Sequence, residues 1–526
     1  MTQPYAKVRR MRWAAVSAAL VGALVITTGG LSSAVPVASN SPWYPSLSSF
    51  EHFDSARSHV FSQAYFGGSL SGKNVVTSRQ SATDQYPSGY NMVYKDASHA
   101  YIYGGGYGNY PGSVGAFVDQ VDPVTLASVW HTQLMDFTTT DPGVWDYPGV
   151  MGMLSDGNLY VTYSHKLAKI DPTDGHVIAT LDLPYNVNAD PNNASYNGFN
   201  ATSDGVLVFK SVYRPYGCTA QGPTALSPAI CPANPSAATP TTTGWVPPSE
   251  FVSVDPFTMT VLHQLTLPAP AGARPTVARF NGKNYAYLVE GYGPCKAVRY
   301  EVGSDGTLTL DPTWAPLVTQ VTGQTATTSL VVLKDWVAVA NNSIKTTVPM
   351  SVTAISQADA TKIVSMQPFA TDTPDPWLVS ELGGATSMVG ASLSADASSN
   401  LLYVFDTVPR KIAALRLSVN GPTPKLTTVW KKTQTTTEFT LLIGDARHRV
   451  LVSTDIPTDE VPGKNANGMA VWRDAATGRE LARSAVIPAM TWGSMIQPFY
   501  NGDLMWEGEL GTLYRLSPRK AHHKHK

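Results

Sequence analysis

The sequence predicts an all-β fold: a β-propeller of eight blades, with seven as the alternative, preceded by an apolar N-terminal helix. Three observations point there. A short phrase recurs, in which an Asp-led turn separates two β-rich runs. Its copies stand about 45–60 residues apart, the length of a four-stranded blade. The chain of 526 residues has only 14% charged residues, against 42 Gly and 39 Pro. That composition suits many short strands joined by tight polar turns. No heptad pattern or long amphipathic helix competes with it.

The clearest copy starts at Ser155-Asp156-Gly157-Asn158. Strand Leu159–Tyr163 follows, then Leu167–Ile170, the turn Asp171–Gly175, and strand His176–Leu181. Gly supplies the positive φ that such hairpin turns need. Related phrases run from Gln120 to Thr125, leading to Trp130, and from Ser253 to Thr258, leading to Leu262. Another runs from Val471 to Gly478 and leads to Leu481. Weaker copies lie at Tyr300–Leu308, Ala354–Ile363, Ala414–Trp430 and Leu513–Leu516. Asp122, Asp171, Asp255, Val302, Ser356, Arg416, Arg473 and Leu516 serve as equivalent points. The long step from Asp171 to Asp255 holds an inserted Pro/Ser/Thr-rich loop, residues 214–248.

The last copy ends at Leu516, so its blade lacks an outer strand. An uncovered edge would pair with other chains. Residues 35–80 are therefore expected to approach the ring and supply the closing strand around Lys73–Arg79. The propeller proper spans residues 81–517, and 518–526 form a basic, His-rich tail.

Lys7, Arg9, Arg10 and Arg12 precede the apolar run Trp13–Leu31, and Ser32-Ser33-Ala34 offers a small-residue cleavage site. Residues 1–34 thus have the layout of a secretory leader or an N-terminal membrane anchor. Basic residues before the run keep its start in the cytoplasm, so the remainder is exported in either case. The expected location is extracytoplasmic, secreted or membrane-anchored. Export permits a disulfide. Of the three cysteines, Cys218 and Cys231 flank the inserted loop and are the expected pair, with Cys295 left over or displacing one of them. A formal net charge of −1 gives no overall field to attract nucleic acid.

The recurring phrase resembles the repeat of quinoprotein-like (PQQ-like) propellers, relatives of the WD40 and YVTN architectures. In it an apolar-Asp-x-x-Thr-Gly turn leads to a strand carrying Trp. Leu159–Leu181 keeps the general form, and Asp122–Trp130 and Ala414–Trp430 keep the Trp. The resemblance covers roughly Ser88–Leu516 and implies architecture, not chemistry. Quinone-dependent dehydrogenases of the group show an adjacent cysteine pair, and no two cysteines are adjacent here. No Cys-x-x-Cys-His haem site is present either. PQQ is accordingly not the expected cofactor.

In a propeller, the loops leading into the innermost strands gather at one mouth of the channel, a concave setting for ligands. Residues before each inner strand give the candidate ligand-binding set Trp145, Asp146, Tyr196, Asn197, Arg274, Glu381, Glu438 and Trp492. The same positions also serve ordinary blade-to-blade hydrogen bonding. Resemblance to gluconolactonase-like and arylesterase-like propellers makes calcium a candidate, with Asp146, Asn197, Glu381 and Glu438 as ligands. The Asn-rich stretch Asn186–Asn200 reads as turns rather than an EF-hand. There is no Gly-x-Ser-x-Gly elbow, and Gly104–Gly108 lacks the phosphate-loop ending. The leading expectation is a binding or scaffold propeller taking a protein or polysaccharide at the mouth. A calcium-assisted hydrolase or lactonase and a quinone-dependent oxidoreductase are the alternatives.

Overall fold

The computed structural model describes residues 41–105, 114–136, 149–189, 194–213, 245–291, 294–326, 328–343, 345–421, 423–462, 467–488, 495–507 and 511–521. The chain separates into two compact units, 1–36 and 37–526, and every described residue belongs to the second. The apolar leader, the Cys218–Cys231 pair and the His-rich end of the tail lie outside the described residues.

Two strands precede the blades, β1 (Val60–Phe61) and β2 (Asn74–Gln80). Blade 1 is β3 (Asn91–Asp96), β4 (His99–Gly104), β5 (Phe117–Val121) and β6 (Ser128–Gln133). Blade 2 is β7 (Met151–Met153), β8 (Leu159–Tyr163), β9 (Lys166–Ile170) and β10 (Val177–Asp182). Blade 3 is β11 (Ala194–Ala201), β12 (Leu207–Tyr213), β13 (Glu250–Asp255) and β14 (Thr260–Thr266). Blade 4 is β15 (Thr276–Phe280), β16 (Lys283–Glu290), β17 (Lys296–Val302) and β18 (Leu308–Leu310). Blade 5 is β19 (Val331–Leu333), β20 (Trp336–Ala340), β21 (Val352–Ser356) and β22 (Ile363–Met366). Blade 6 is β23 (Ser394–Asp396), β24 (Leu401–Asp406), β25 (Lys411–Ser418) and β26 (Lys425–Thr433). Blade 7 is β27 (Leu441–Ile443), β28 (Val450–Asp455), β29 (Met469–Asp474) and β30 (Glu480–Arg483), with β1 added as a fifth strand parallel to β27. Blade 8 takes β31 (Ile496–Phe499), β32 (Asp503–Glu507) and β33 (Leu513–Lys520) from the end of the chain and β2 from its beginning.

The count is therefore eight rather than seven. The eight equivalent points of the repeat each fall in, or just after, the third strand of a different blade. Chemistry explains the recurrence. Asp122 accepts hydrogen bonds from the backbone N–H of Val124 (2.7 Å) and Thr125 (3.3 Å). Asp474 does the same for Thr477, through its backbone N–H and its hydroxyl, both at 2.9 Å. These side chains close the turn between third and fourth strands. The glycine that follows serves the next interface. Gly175 and Gly478 have φ of 80° and 70°, and a Cβ at Gly175 would come within 2.5 Å of Trp130. The outer-strand Trp of blade 1 thus lies on the turn of blade 2, and Trp430 of blade 6 lies on the turn of blade 7. There Trp430 Nε1 donates to the Ala475 carbonyl at 2.9 Å. Leu262 makes the corresponding contact at Gly306.

Inner strands such as β8 are buried at every position, while outer strands such as β6 alternate with solvent. The apolar core consequently lies between blades. One cluster joins Ala338 and Val352 of blade 5 to Leu402 and Ala413 of blade 6. Another joins Ile102 and Phe117 of blade 1 to Phe499 and Met505 of blade 8. β2 pairs antiparallel with β33 from Asn74↔Lys520 to Gln80↔Tyr514, so the first and last parts of the propeller share one sheet. A short helix, α1 (Pro376–Glu381), begins at Asp375, whose carboxylate accepts from the backbone N–H groups of Trp377 and Leu378.

Deleting residues 74–80 from the otherwise complete chain leaves β33 as an open edge. Differential scanning calorimetry should then show a melting temperature lower by roughly 2–5 °C, the shift expected in a chain of this length for a loss of a few kcal/mol. Size-exclusion chromatography should show self-association. A deletion variant that melts with the intact protein and stays monodisperse would refute closure by β2.

Candidate functional site

Antiparallel connectivity sorts the loops. The turns between first and second strands, and between third and fourth, fall on one face and are short, as at Ser155–Asn158 and Asp171–His176. The connections from second to third strands, and from each outer strand to the next inner one, fall on the opposite face. The strand ends on that face are joined by the longer connections: β12 ends there at Tyr213 and β13 begins there at Glu250, and helix α1 lies in the connection from β22 to β23. The long-loop face is the mouth.

The axis of the ring is filled by the chain's own residues 41–66. Ser155 N–H donates to the Pro42 carbonyl at 2.9 Å, and Tyr44 N–H to Met153 at 3.0 Å, beside the short turn of blade 2. The segment then meets the innermost strands in turn. Tyr94 of β3 donates to Ser48 O, Met153 of β7 to Ser49 O, Val277 of β15 to Ser55 O and Val332 of β19 to Ala56 O. Ala395 of β23 donates to Ser58 O and Leu442 of β27 to His59 O, all at 2.8–3.0 Å. Asn200 of β11 reaches Ser55 O with its side-chain amide (2.8 Å), and Gln497 of β31 reaches the Ser48 hydroxyl (3.1 Å). All eight blades therefore bond to one short stretch. The segment leaves as β1, and Ala64 O accepts from Gly444 at the short turn of blade 7.

At the centre of this stretch is a sealed charged hub. Glu51 is wholly buried. Its Oε1 lies 2.8 Å from Arg57 Nη2 and 3.1 Å from His52 Nε2, and its Oε2 lies 2.8 Å from Arg274 Nη1. Tyr90 also donates its hydroxyl to Oε2 at 3.0 Å. Burial alone would raise the Glu51 carboxyl, but Arg274, His52 and Arg57 together hold it well below the ordinary carboxylate value. Arg274 lies over the Tyr90 ring, 4.9 Å from its centroid, and donates to Gly149 O at 3.4 Å. Its Nε donates to the Asn197 carbonyl. Gly272 O in turn accepts from the Asn197 amide (3.1 Å) and from Lys210 Nζ (3.0 Å). Burial, then the neighbouring Arg274, lowers Lys210 well below an ordinary lysine.

The structure brings two of the sequence candidates, Asn197 and Arg274, into this hub. Tyr196 points the other way: it is fully buried, packs against Phe209 and donates to Pro184 O. Glu438 is fully buried, one residue from the Phe439 ring that packs against His52. Glu381 ends α1 and is exposed. Trp145, Asp146 and Trp492 lie outside the described residues. Sequence reasoning assigned residues 35–80 to an approach and a closing strand, and so missed Glu51, His52, Arg57 and His59; Tyr90, at the start of blade 1, was not singled out either. One signal was available: Glu51, His52, Asp54, Arg57 and His59 crowd nine positions of a chain that is only 14% charged.

Calcium needs six to eight converging oxygens. Of the described candidate ligands, Glu381 is exposed at the end of α1, while Asn197 and Glu438 are buried; the Asn197 side-chain N–H donates to Gly272 O and its backbone carbonyl accepts from Arg274. Among the described residues, Asp171, Asp174 and His176 come within ligand reach of one another. They belong to an exposed short turn, where Asp171 accepts from Thr173 N–H and Asp174 from His176 N–H and Nδ1. On the described axis the imidazoles of His52 and His59 stack with centroids 4.2 Å apart, and Phe439 packs against His52 at 4.7 Å. Cys295 is a free, fully buried thiol, pushed up to about 11 by burial.

The described architecture is an eight-bladed β-propeller, a fold it shares with solved quinoprotein structures. A quinohemoprotein alcohol dehydrogenase from Pseudomonas putida superposes with a TM-score of 0.51 at 10% identity, covering 91% of this chain and 80% of that one. A europium-containing methanol dehydrogenase gives 0.50 at 8% identity, covering 91% and 98%. BamB from Moraxella catarrhalis gives 0.47 at 10% identity, covering 84% and 98%. At such identities the likeness is one of fold alone. No protein-family model matches the chain, and no curated protein matches it.

Glu51→Gln leaves two buried guanidiniums sharing a neutral amide. Urea denaturation should show a loss of about 3–5 kcal/mol, the cost of breaking a buried ion pair from one side. Exposed Glu381→Gln should cost less than about 1 kcal/mol. Equal losses at the two positions would contradict the hub's central role.

Proposed function

We propose that this chain is an exported binding propeller that holds a protein or polysaccharide ligand at its long-loop mouth. The observation that carries this reading is the filled axis. With residues 41–66 inside the ring, the described axis is occupied by the chain itself. What remains for recognition is the face from which the long connections leave and to which they return, whereas the opposite face has tight turns. Near the axis the buried charges of Glu51, Arg57 and Arg274 are paired with one another. The sequence supports export through its basic and apolar leader.

Trp377 on α1 is a described mouth-face aromatic, 37% exposed, and Phe257 on the opposite face is 57% exposed. A photo-cross-linking residue should be placed at each position in the full chain, in cells that export it, with a glycan array run in parallel. Position 377 should capture a partner, or Trp377→Ala should weaken glycan binding roughly tenfold, the effect of losing an aromatic anchor. Phe257→Ala should change binding less than about twofold. Capture from position 257 alone, with no binding of protein or glycan at 377, would end this proposal.

A further inference from the structure

The axial segment has two apolar ends and a polar middle. On the entering side Trp43 stacks on Phe50, with ring centroids 4.0 Å apart, inside a cluster that includes Met153 and Phe199. On the leaving side Phe61, Ala64 and Phe66 pack with Trp472. Between them, Glu51–His59 contributes few apolar contacts. Its backbone is bent through left-handed conformations at Phe53, Arg57 and His59, with φ of 75°, 54° and 61°. These are costly for residues with a Cβ and persist only where the surroundings impose them.

Two imidazoles meet in this middle part. His52 and His59 stack with an interplanar angle of 12°, and each is 1% exposed. His59 Nδ1 lies 2.8 Å from Thr440 O and His52 Nε2 faces Glu51. The remaining nitrogens, His52 Nδ1 and His59 Nε2, have no hydrogen-bond partner among the described residues. A proton on either would therefore be a buried donor with no acceptor. It would also place a second cation near Arg57, and protonating both would stack two cations face to face.

We propose that Glu51–His59 is an acid-released latch, closed on the channel axis while His52 and His59 are neutral and let go when they take up protons. The apolar ends stay anchored, so only the middle moves and the eight sheets persist. The direction follows from the two rings. Burial, and then Arg57, keeps His52 well below an ordinary imidazole. Burial, with Arg57 adding to it against the Thr440 hydrogen bond, lowers His59 to about 4. A histidine whose closed-state value is depressed favours closure above its ordinary value, near 6.5, and loses that preference as pH falls toward the depressed value. Over that window each pH unit multiplies the open population about tenfold per histidine. The other groups facing the pair are Glu51, Arg57, Thr440 and the Ser394 hydroxyl, 3.3 Å from His59 Nδ1, with Arg274 and Tyr90 behind Glu51. Glu51 stays ionised throughout the window. Asp54, which accepts from Ser58 N–H (3.0 Å) and its hydroxyl (2.8 Å), is raised by burial and acts in the opposite sense. The latch does not depend on which ligand the mouth takes.

Hydrogen exchange of the full chain, read by mass spectrometry and corrected for intrinsic rates, tests this between pH 7 and pH 4.5. Peptides covering 48–61 should lose protection by at least about 100-fold, while peptides of β8, β16 and β24 keep theirs. In the His52→Gln/His59→Asn double variant the pH dependence at 48–61 should vanish or reverse, leaving only Asp54. Protection at 48–61 that is unchanged, or that falls together with the sheets, overturns the latch, and so does a double variant with wild-type pH dependence. Should that variant not fold, the wild-type contrast between 48–61 and the sheets decides alone.

Discussion

Eight innermost strands cannot meet on a common axis. Their inward-facing backbone N–H groups need acceptors. In this propeller the space between them is occupied by residues 41–66, and their carbonyls take the N–H groups that the inner strands present. The arrangement fixes the rest of the interior. A backbone segment in the centre of a ring must turn sharply, and its turning residues bring Glu51, Arg57, His52 and His59 into a region without solvent. Charge there needs a partner, and Glu51 supplies it to two guanidiniums at once, one from the segment and one from blade 3's exit loop, Arg274.

The ring and its filling are held by different physics. Blade-to-blade contact is apolar and repeated: inner strands are buried on both faces, and an outer-strand Trp or Leu rests on the turn glycine of the next blade. Those contacts are insensitive to pH. The axial contact is polar and occurs once. Its ends are apolar and its middle is titratable, so the part of the molecule with the finest electrostatic balance lies directly beneath the mouth. Closure by β2 adds a third element. It ties residues 74–80 to the last strand and so keeps the axial segment threaded between two fixed ends.

For function, the filled axis matters more than the likeness to dehydrogenase folds. At identities near 10% the shared propeller carries no chemistry with it. The face opposite the mouth, with Asp-closed turns such as those at Asp122 and Asp474, presents a surface whose carboxylates are already used by their own backbone.

The sequence by itself determined the periodic part of this protein. Asp122, Asp171, Asp255 and Asp474 announce their turns because a carboxylate closing on backbone N–H groups two and three residues later is a local event. Trp130 and Trp430 announce their strands because each repeat must meet the next in the same way. Asn197 and Arg274 were singled out by their position before or within an inner strand, and the structure places both in the buried hub rather than on an open rim. Only the tertiary structure decided that Glu51–His59 would run through the centre. Its partners lie at Tyr90, Arg274, Ser394 and Thr440, up to several hundred residues away, and no local pattern specifies a bond that forms once the whole ring exists. Turn chemistry is short-range and repeats, so it is written in neighbouring residues. The axial hub is a single long-range solution to burying charge, and it exists only where eight sheets converge.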